Sequence, residues 1–573
     1  MKKFLSLTMA VIVSLSVAIT GTGCQNRTGE QVKEGYTPLY VNVLSCGIGT
    51  TFAKNLEAKF EAICEARGDK VDVLVTTNEV NGNEGITAVR SGASDIFYFN
   101  GFDISYYTNL AEKTSNAVLD ITDIVTEGGA DSIYSRLEDG AKEYFNVGTE
   151  TAPKFFALPW FSSYYGTVYD VELFREMHYY RNDPNIPAGS EILGYTGLDG
   201  IVGNADDAYG PDGVANTVDD GLPATWNDFR LLLDEMKRTN VMPFSFTMQG
   251  NYTEAWLYAL WGSYEGTSNV SIMGDFNGTY KSRNAQGQVV STEITPENAY
   301  LMAEQNGKLA ALEIAKYLVD SNSICTNSYD SASENNLEAQ KTYLRSFLGK
   351  GANKNDKRIA FLMEGTWWEN EAKDYFGTLV GQTKDESLAY GTREFGFMPF
   401  PKFIDDASGI PDQVHDKTVM RAGWISNMSA AVMISKNSKQ PALAKEFLKL
   451  AYSEEMNGQF TVDSGVTVPL KYTMTSEQLS KITPFQKNIF ELVQSPYVEV
   501  LSGVTRSEYI LSEPDVVKNI STFAMTTSQS SSIYVNAPIE KFKANMSVET
   551  YWQGIQYVKG HIQNNWSNMA WMR

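Results

Sequence analysis

The chain has 573 residues, of which 43% are hydrophobic and 20% are charged, and its formal net charge is -22 at pH 7. This length exceeds what one hydrophobic core usually serves, so two or more lobes are expected, and the composition excludes a disordered chain. The excess of negative charge excludes nucleic acid and anionic lipid headgroups as the main partner.

The N-terminus has the pattern of a secretory signal. Two lysines precede an apolar run, and small residues lead to Cys24, which predicts a signal peptide at 1–23. A cysteine directly after small residues resembles the bacterial lipoprotein box, although Gly21 stands where the box usually has leucine. The resemblance implies that Cys24 carries lipid (palmitate) and anchors the protein outside the cytoplasm, with 24–38 as a tether. The alternative is a plain signal peptide with an incidental cysteine.

Strands and helices alternate from residue 40 onward. A strand (LYVNVLSC), an amphipathic helix, a second strand (KVDVLVTT) and a third strand (SDIFYFN) follow one another, which predicts an α/β fold with a mostly parallel sheet. Ligands bind at the carboxyl ends of such strands. Candidate ligand contacts there are Asn78 and Glu79 after the second strand, and Asn100 and Asp103 after the third; solvated loops are the alternative.

Later segments add aromatic groups and more strand–helix units. The stretch ALPWFSSYYG interrupts a strand-like run with a proline and aromatic rings, and LPATWNDF predicts a helix capped by Thr225. The stretch RIAFLMEGTWW predicts a strand, a tight turn at Gly365 and the start of a helix. From residue 476 to the end the chain is predicted to be mainly helical.

The order of these segments resembles a known family, the carbohydrate-binding group of extracellular solute-binding lipoproteins of ABC importers (solute-binding protein family 1). The resemblance covers nearly the whole mature chain and implies a two-lobed periplasmic-binding-protein-like fold (type II), with a hinge and a central ligand cleft. The segments that carry it are SGASDIFYFN, FALPWFSSYYGTVYDVELF, LPATWNDF, FLMEGTWW, FGFMPFP, AAVMISKNSKQPALAKEFLKLAYSEE and GVTVPLKY.

The family also implies that the chain crosses the hinge three times, so that neither lobe is one continuous segment. The expected first lobe is 39–160 plus 424–480, and the expected second lobe is 161–423 plus 481–573. An acidic insertion at 197–221 belongs to the second lobe.

Sugars expose flat apolar faces edged with hydroxyls, so their binding sites combine aromatic rings with carboxylates and amides. In the family a stacking tryptophan follows a G-x-W turn, a role that falls on Trp367, with Trp368 beside it. Packing in the core or at the hinge is the alternative for each aromatic residue. The other predicted ligand contacts are Trp160, Phe161, Ser163 and Tyr164 near the first crossing, and Trp424 near the second.

The implied function is binding of a carbohydrate or oligosaccharide and its delivery to the membrane permease of an ABC transporter, by a monomer that needs no cofactor. The three histidines lie in no metal-ligand or nucleophile motif, so the chain is not expected to be an enzyme. Two alternatives remain, a secreted glycoside hydrolase, which needs only two carboxylates, and a sugar-binding surface adhesin.

The acidic insertion contains an internal repeat, because DGIVGNADD begins at residue 199 and DGVANTVDD begins at residue 212. Glycines let such loops curl so that oxygens converge, which suits a structural calcium ion. A solvated acidic loop is the alternative. The predicted calcium ligands are Asp199, Asp206, Asp207, Asp212, Asp219 and Asp220, with Asn204 and Asn216 in support.

Overall fold

The structure is a computed structural model that describes most of the chain after residue 31. The predicted signal peptide and Cys24 lie outside the described residues. In the part of the chain that is described, no helix is both long and apolar enough to span a bilayer. The described residues are 32–45, 47–78, 82–100, 117–180, 194–211, 213–248, 252–265, 267–283, 289–330, 332–348, 357–401, 420–426, 430–495, 498–502, 509 and 512–572.

Helices and strands alternate through the first half, as predicted. The strands are β1 Thr37–Leu44, β2 Val71–Asn78, β3 Ile96–Phe99, β4 Leu158–Pro159, β5 Tyr164–Asp170, β6 Met242–Ser245, β7 Gly278–Arg283, β8 Val289–Ile294, β9 Ile359–Gly365, β10 Phe395–Met398, β11 Met420–Ser426, β12 Ala431–Ile434 and β13 Val498–Ser502. The α-helices are α1 Thr51–Ala66, α2 Gly82–Ser91, α3 Thr122–Thr126, α4 Ile133–Arg136, α5 Asp139–Phe145, α6 Val171–Met177, α7 Trp226–Arg238, α8 Tyr252–Glu265, α9 Thr267–Asp275, α10 Asn306–Asp320, α11 Asn336–Arg345, α12 Trp368–Glu371, α13 Lys373–Thr383, α14 Pro441–Ala451, α15 Glu454–Ser464, α16 Ser476–Leu479, α17 Pro484–Gln494, α18 Pro514–Ser521, α19 Pro538–Lys543 and α20 Val548–Asn565.

The first lobe is built on a sheet with the strand order β2-β1-β3-β12-β4. Strand β1 runs parallel to both β2 and β3, so the carboxyl ends of all three strands lie at one edge. Helix α1 packs on this sheet through Phe52, Leu56 and Phe60, which recur every four residues and therefore share one face of the helix.

The second lobe is built on a sheet with the strand order β13-β11-β5-β9-β6, and β10 pairs with β5. Every residue of β9 is buried, and its side chains enter two different core clusters. Phe361 and Met363 belong to one cluster, whereas Ile359 and Leu362 belong to the other. The tail is mainly helical, as expected, and β13 adds a parallel strand beside β11.

The chain passes between the two sheets at several points. It leaves the first sheet after Pro159 and enters the second at Tyr164, then returns to the first sheet between Ser426 and Ala431. The first lobe therefore resumes after Ser426 rather than at residue 424, because β11 pairs with β5 and β13 as far as Ser426. Helix α17 then packs on both lobes, since Phe485 joins the second-lobe core and Phe490 joins the first-lobe core.

The predicted cap of α7 is confirmed. The Thr225 hydroxyl oxygen accepts a hydrogen bond from the backbone N–H of Asp228 at 3.1 Å, which satisfies one of the amide groups that every helix leaves unpaired at its start. This helix directly follows the acidic insertion and fixes the point where the insertion rejoins the second lobe.

Candidate functional site

The G-x-W turn brings Trp367 to the boundary between the lobes. Trp367 follows the last residue of β9 in the second lobe, yet its half-buried ring packs against the core cluster of the first lobe. The turn requires glycine at 365, because a Cβ atom there would lie 2.1 Å from the nearest atom of the Trp367 ring. The absence of a side chain at Gly365 therefore lets the indole ring approach the backbone closely.

Two tyrosines complete an aromatic corner with Trp367. The ring centroid of Tyr165 lies 4.9 Å from that of Trp367 at an interplanar angle of 87°, and Tyr252 lies 6.3 Å away at 63°. The two tyrosine rings are also edge-on to each other, at 5.7 Å and 86°. All three residues keep partial exposure, so their rings retain surface that a ligand is able to contact.

Carboxyl and amide groups lie directly beside these rings. The Gln340 amide nitrogen donates to Glu364 Oε1 at 3.1 Å and to Glu371 Oε2 at 2.6 Å, so a single amide joins the two carboxyl groups. The Asn336 amide nitrogen contacts both oxygens of Glu371, at 3.3 and 3.2 Å. The site thus offers rings for apolar faces and fixed oxygens for hydroxyl or amino groups.

Glu364 is almost completely buried, with 3% exposure. Burial, and then the nearby charge of Glu371, raise the pKa of Glu364 well above its usual range, although hydrogen bonds from Gln340, Tyr252 and Trp367 act in the opposite direction. Burial and the two carboxyl groups likewise raise the pKa of Tyr165 to about 12. The environment of Glu364 therefore favours its protonated form, which is able to donate a hydrogen bond.

The site also touches the first lobe. The Asn370 amide nitrogen donates to the backbone oxygen of Gly47 at 3.5 Å, across the boundary between the lobes. Gly47 follows β1, at the edge where the carboxyl ends of the parallel strands meet. The aromatic corner thus faces the sheet edge at which the sequence predicts ligand contacts.

Trp368, predicted beside Trp367 as a ligand contact, is a core residue instead. It is 0% exposed and packs edge-on against Phe395 at 5.0 Å and Phe485 at 5.8 Å. It starts α12, so its side chain points to the opposite side of the turn from that of Trp367. A ring with no exposed surface has no face left for a ligand.

Residues at the first crossing are also more buried than a ligand-contact role suggests. Trp160 and Phe161 are each 3% exposed, and Ser163 and Tyr164 are each 1% exposed. The Trp160 indole N–H donates to the backbone oxygen of Phe99 at 2.8 Å, which satisfies its polar atom inside the first lobe. The structure therefore places these four side chains in hinge and core packing rather than at an open surface.

The remaining predicted contacts are only partly described. Asn100 is half-buried just after β3. Asn78 ends β2 and Trp424 lies within β11, but their side chains are outside the description, and Glu79 and Asp103 lie wholly outside the described residues. Contact of Asn78 and Asn100 with a ligand stays a prediction, supported by their place at the carboxyl edge of the first sheet.

The acidic repeat of the sequence is also a repeat of backbone geometry. Asp207 Oδ2 accepts from the Gly203 N–H at 2.7 Å, and Asp220 Oδ2 accepts from the Asn216 N–H at 2.8 Å, at equivalent positions of the two copies. The left-handed conformation recurs at three equivalent pairs: Gly197 and Gly210, Gly200 and Gly213, and Gly203 and Asn216.

The predicted calcium ligands are only partly described. Asp199 bonds within the loop, to the Ile201 N–H and the Asn204 amide, and Asp219 accepts from the Thr217 hydroxyl. Asp212 and the side chain of Asp206 lie outside the described part of the chain. Among the residues that are described, no group of three or more His, Cys, Asp or Glu side chains is arranged to hold a metal ion. Calcium binding by the complete loop stays a prediction.

Sequence reasoning missed the polar half of the site, although two spacings could have revealed it. Asn336 and Gln340 lie four residues apart at the start of a helix, as do Trp367 and Glu371, so each pair shares one helix face. Nothing in the local sequence relates Tyr165 and Tyr252 to Trp367, because their contacts depend on the pairing of β5 with β9 and on the packing of α8.

Comparison with known proteins gives the family. Residues 49–325 match the family described as bacterial extracellular solute-binding protein. This match covers just under half of the chain, which is similar to that family over these residues. No curated protein sequence matches this chain.

Solved structures of similar fold cover nearly the whole chain. A chitin oligosaccharide binding protein aligns with 92% of this chain and 99% of its own, at a TM-score of 0.51 and 15% identity. A protein of xylan utilization from Caldanaerobius polysaccharolyticus aligns with 91% of this chain and 99% of its own, at 0.51 and 14% identity. The bacterial solute receptor AcbH aligns with 93% and 99%, at 0.50 and 11% identity. These likenesses confirm the two-lobed α/β solute-binding fold.

Proposed function

We propose that this protein binds a carbohydrate or oligosaccharide outside the cytoplasm and delivers it to the membrane permease of an ABC transporter. The observation that carries the proposal is the corner formed by Trp367, Tyr165 and Tyr252, with two carboxyl groups and two amides beside it. Rings cover the apolar faces of a sugar, and fixed oxygens and amides select its hydroxyl groups. The family and the ligand named for the chitin oligosaccharide binding protein support the same class.

The proposed action is closure of the two lobes on the solute. A ligand that contacts both lobes binds the closed state better than the open state, so it shifts the population toward closure, and the permease recognises that state. Trp367 is suited to this role because it follows a second-lobe strand and packs on the first-lobe core. The step needs no chemistry on the solute, and the protein acts as a monomer.

The membrane attachment proposed for this protein is a lipid on Cys24. The signal-like N-terminus and the polar tether that follows it support this proposal. We expect the native protein to enter the membrane fraction and a Cys24→Ala variant to be released as a soluble secreted protein. Equal release of both proteins would contradict lipidation without affecting the proposal for the solute.

The test of solute binding is a thermal-shift screen of the purified protein over monosaccharides and oligosaccharides, followed by small-angle scattering on each hit. We expect at least one oligosaccharide to raise the melting temperature and to reduce the radius of gyration. A hit without compaction would favour an adhesin. Release of shortened products from a labelled oligosaccharide would favour a glycoside hydrolase, and no hit among carbohydrates would contradict the proposal.

A further inference from the structure

We propose that the solute carries a positively charged amino group, as in an amino sugar without an N-acetyl group, and that this group binds between Glu371, Glu364 and the three aromatic rings. The inference rests on the proposed function and specifies the chemical class of the solute. It depends on how the rings are arranged, on the partners of the two carboxyl groups, and on what kind of cation such a site suits.

The first observation is the arrangement of the rings. Tyr165 stands nearly perpendicular to both Trp367 and Tyr252, at 87° and 86°, and the rings of Tyr252 and Trp367 are inclined at 63°, with all three centroid distances between 4.9 and 6.3 Å. Perpendicular rings form the corner of a box rather than a flat platform. The negative faces of such rings attract organic ammonium groups, which is how aromatic cages recognise them.

The second observation concerns the charge balance of the two carboxyl groups. Within the described part of the chain, neither Glu364 nor Glu371 forms an ion pair, and their hydrogen-bond partners are the neutral amides of Gln340 and Asn336 and the neutral side chains of Tyr252 and Trp367. The buried carboxylate of Asp170 in the same lobe differs, because it is neutralised by Arg393 at 2.6 Å and Arg358 at 3.2 Å. Among the described residues, no side-chain cation balances the carboxyl groups beside Trp367.

The third point is the kind of cation. Hard metal ions bind through oxygen ligands, and calcium requires six to eight of them. The described residues around Glu364 and Glu371 provide two carboxyl groups, two amides and three rings, and no group of three or more metal-ligating side chains occurs among them. Aromatic faces do not coordinate such metals, whereas they stabilise an ammonium group on a carbon skeleton. An amino sugar combines that ammonium group with an apolar ring face for stacking.

Proton release gives the proposal an independent signature. Burial and the charge of Glu371 raise the pKa of Glu364 and so favour its protonated form in the empty site, where the other titratable groups facing it are the phenols of Tyr165 and Tyr252. An incoming ammonium group stabilises the carboxylate, so Glu364 releases its proton when the solute binds. A neutral sugar gives no such release.

The experiment compares three trimers of the same β-1,4 linkage: glucosamine, N-acetylglucosamine and glucose. Isothermal titration calorimetry at slightly acidic pH, in two buffers of different ionisation enthalpy, gives affinity and proton release together. We expect the glucosamine trimer to bind about tenfold or more tightly than the other two and to release protons. Equal or tighter binding of either uncharged trimer would overturn the inference and leave the proposed function standing. If none of the three trimers binds but another sugar does, the inference is overturned and the proposed function stands. If no carbohydrate binds, the inference and the proposed function are both overturned.

A pair of variants locates the effect. Glu371→Gln removes the charge but keeps the shape of the side chain, and we expect it to abolish the preference for glucosamine over glucose. Glu338→Gln is the matched control, because Glu338 lies on the neighbouring helix α11 and pairs with Lys341 at 2.7 Å instead. An unchanged preference in Glu371→Gln, or an equal loss in both variants, would overturn the assignment.

Discussion

The regions around Trp160 and Trp367 are both rich in aromatic rings, but they are surrounded by different groups. Trp160 contacts Phe52, Tyr98 and Phe161 inside the first lobe, and its indole N–H bonds to a backbone oxygen. Trp367 contacts two tyrosines at the boundary between the lobes, beside two carboxyl groups and two amides.

The difference shows that clustered rings alone do not indicate a ligand site. Rings that are closed in on all sides stabilise a lobe, because their apolar surface is already removed from water. Rings that stay partly exposed next to fixed polar groups are able to bind a solute. The two tryptophans should therefore respond differently to the same substitution.

The largest expected effect is the contrast between Trp160→Ala and Trp367→Ala. Trp160→Ala leaves a cavity in the first-lobe core, so we expect a loss of about 3–5 kcal/mol of stability and a lower melting temperature. Trp367→Ala removes stacking surface at the candidate site, so we expect a loss of about 1–3 kcal/mol in solute affinity. Calorimetric melting of both variants measures their stability, and titration with the solute measures their affinity. If the two variants change stability and affinity to a similar extent, the distinction between the two tryptophans is wrong.

A second prediction concerns the buried side of the same turn. Burial raises the pKa of Glu369 from 4.5 to about 7, partly offset by a hydrogen bond from Thr483. A raised pKa means that the folded state holds the proton more tightly than the unfolded chain, so this stabilisation is complete below about pH 4.5 and is lost as the pH rises through about 7. We expect this group to cost about 3 kcal/mol of stability over that window.

The variant that tests this dependence is Glu369→Gln, which resembles the protonated acid at every pH. Its melting temperature should match that of the native protein near pH 5. Near pH 8, about one unit above the pKa of Glu369, the variant should melt at a higher temperature than the native protein. Parallel melting curves of the two proteins from low to high pH would contradict the prediction.

A third prediction concerns the glycine beneath Trp367. Gly365→Ala places a Cβ atom 2.1 Å from the indole, so the ring must move and solute affinity should fall by about tenfold. Gly377→Ala is the matched control, since a Cβ atom there meets nothing within 4 Å and the residue lies inside helix α13. The control should keep its affinity and gain up to about 1 kcal/mol of stability. Equal affinity of the two variants would show that the position of the ring is unimportant.

The smallest expected effect concerns the acidic loop, which lies outside the aromatic comparison. We expect calcium to raise the melting temperature by a few degrees and to slow proteolysis within 197–221, because six aspartates in the insertion repel one another without a cation. Magnesium at the same concentration is the control for ionic strength. If chelation changes neither melting nor proteolysis, the loop is simply solvated.

Much of the fold could be predicted because its signals are local. Strand–helix alternation, the cap at Thr225 and the turn at Gly365 all depend on residues a few positions apart. Strand β13 was missed because its pairing partner β11 lies far away in the chain and its own five residues carry a weak pattern.

The candidate site likewise combines features that short sequence patterns predict with contacts that depend on the tertiary structure. The sequence alone determined that an aromatic residue follows the G-x-W turn, and that acidic and amide residues occupy the ends of strands, because these depend on residue type and short spacing. Only the tertiary structure decided that Trp367 faces the other lobe while Trp368 enters the core. It also placed Gln340, Tyr165 and Tyr252 beside Glu364, because contacts between distant segments arise from sheet pairing and helix packing, which no local pattern records.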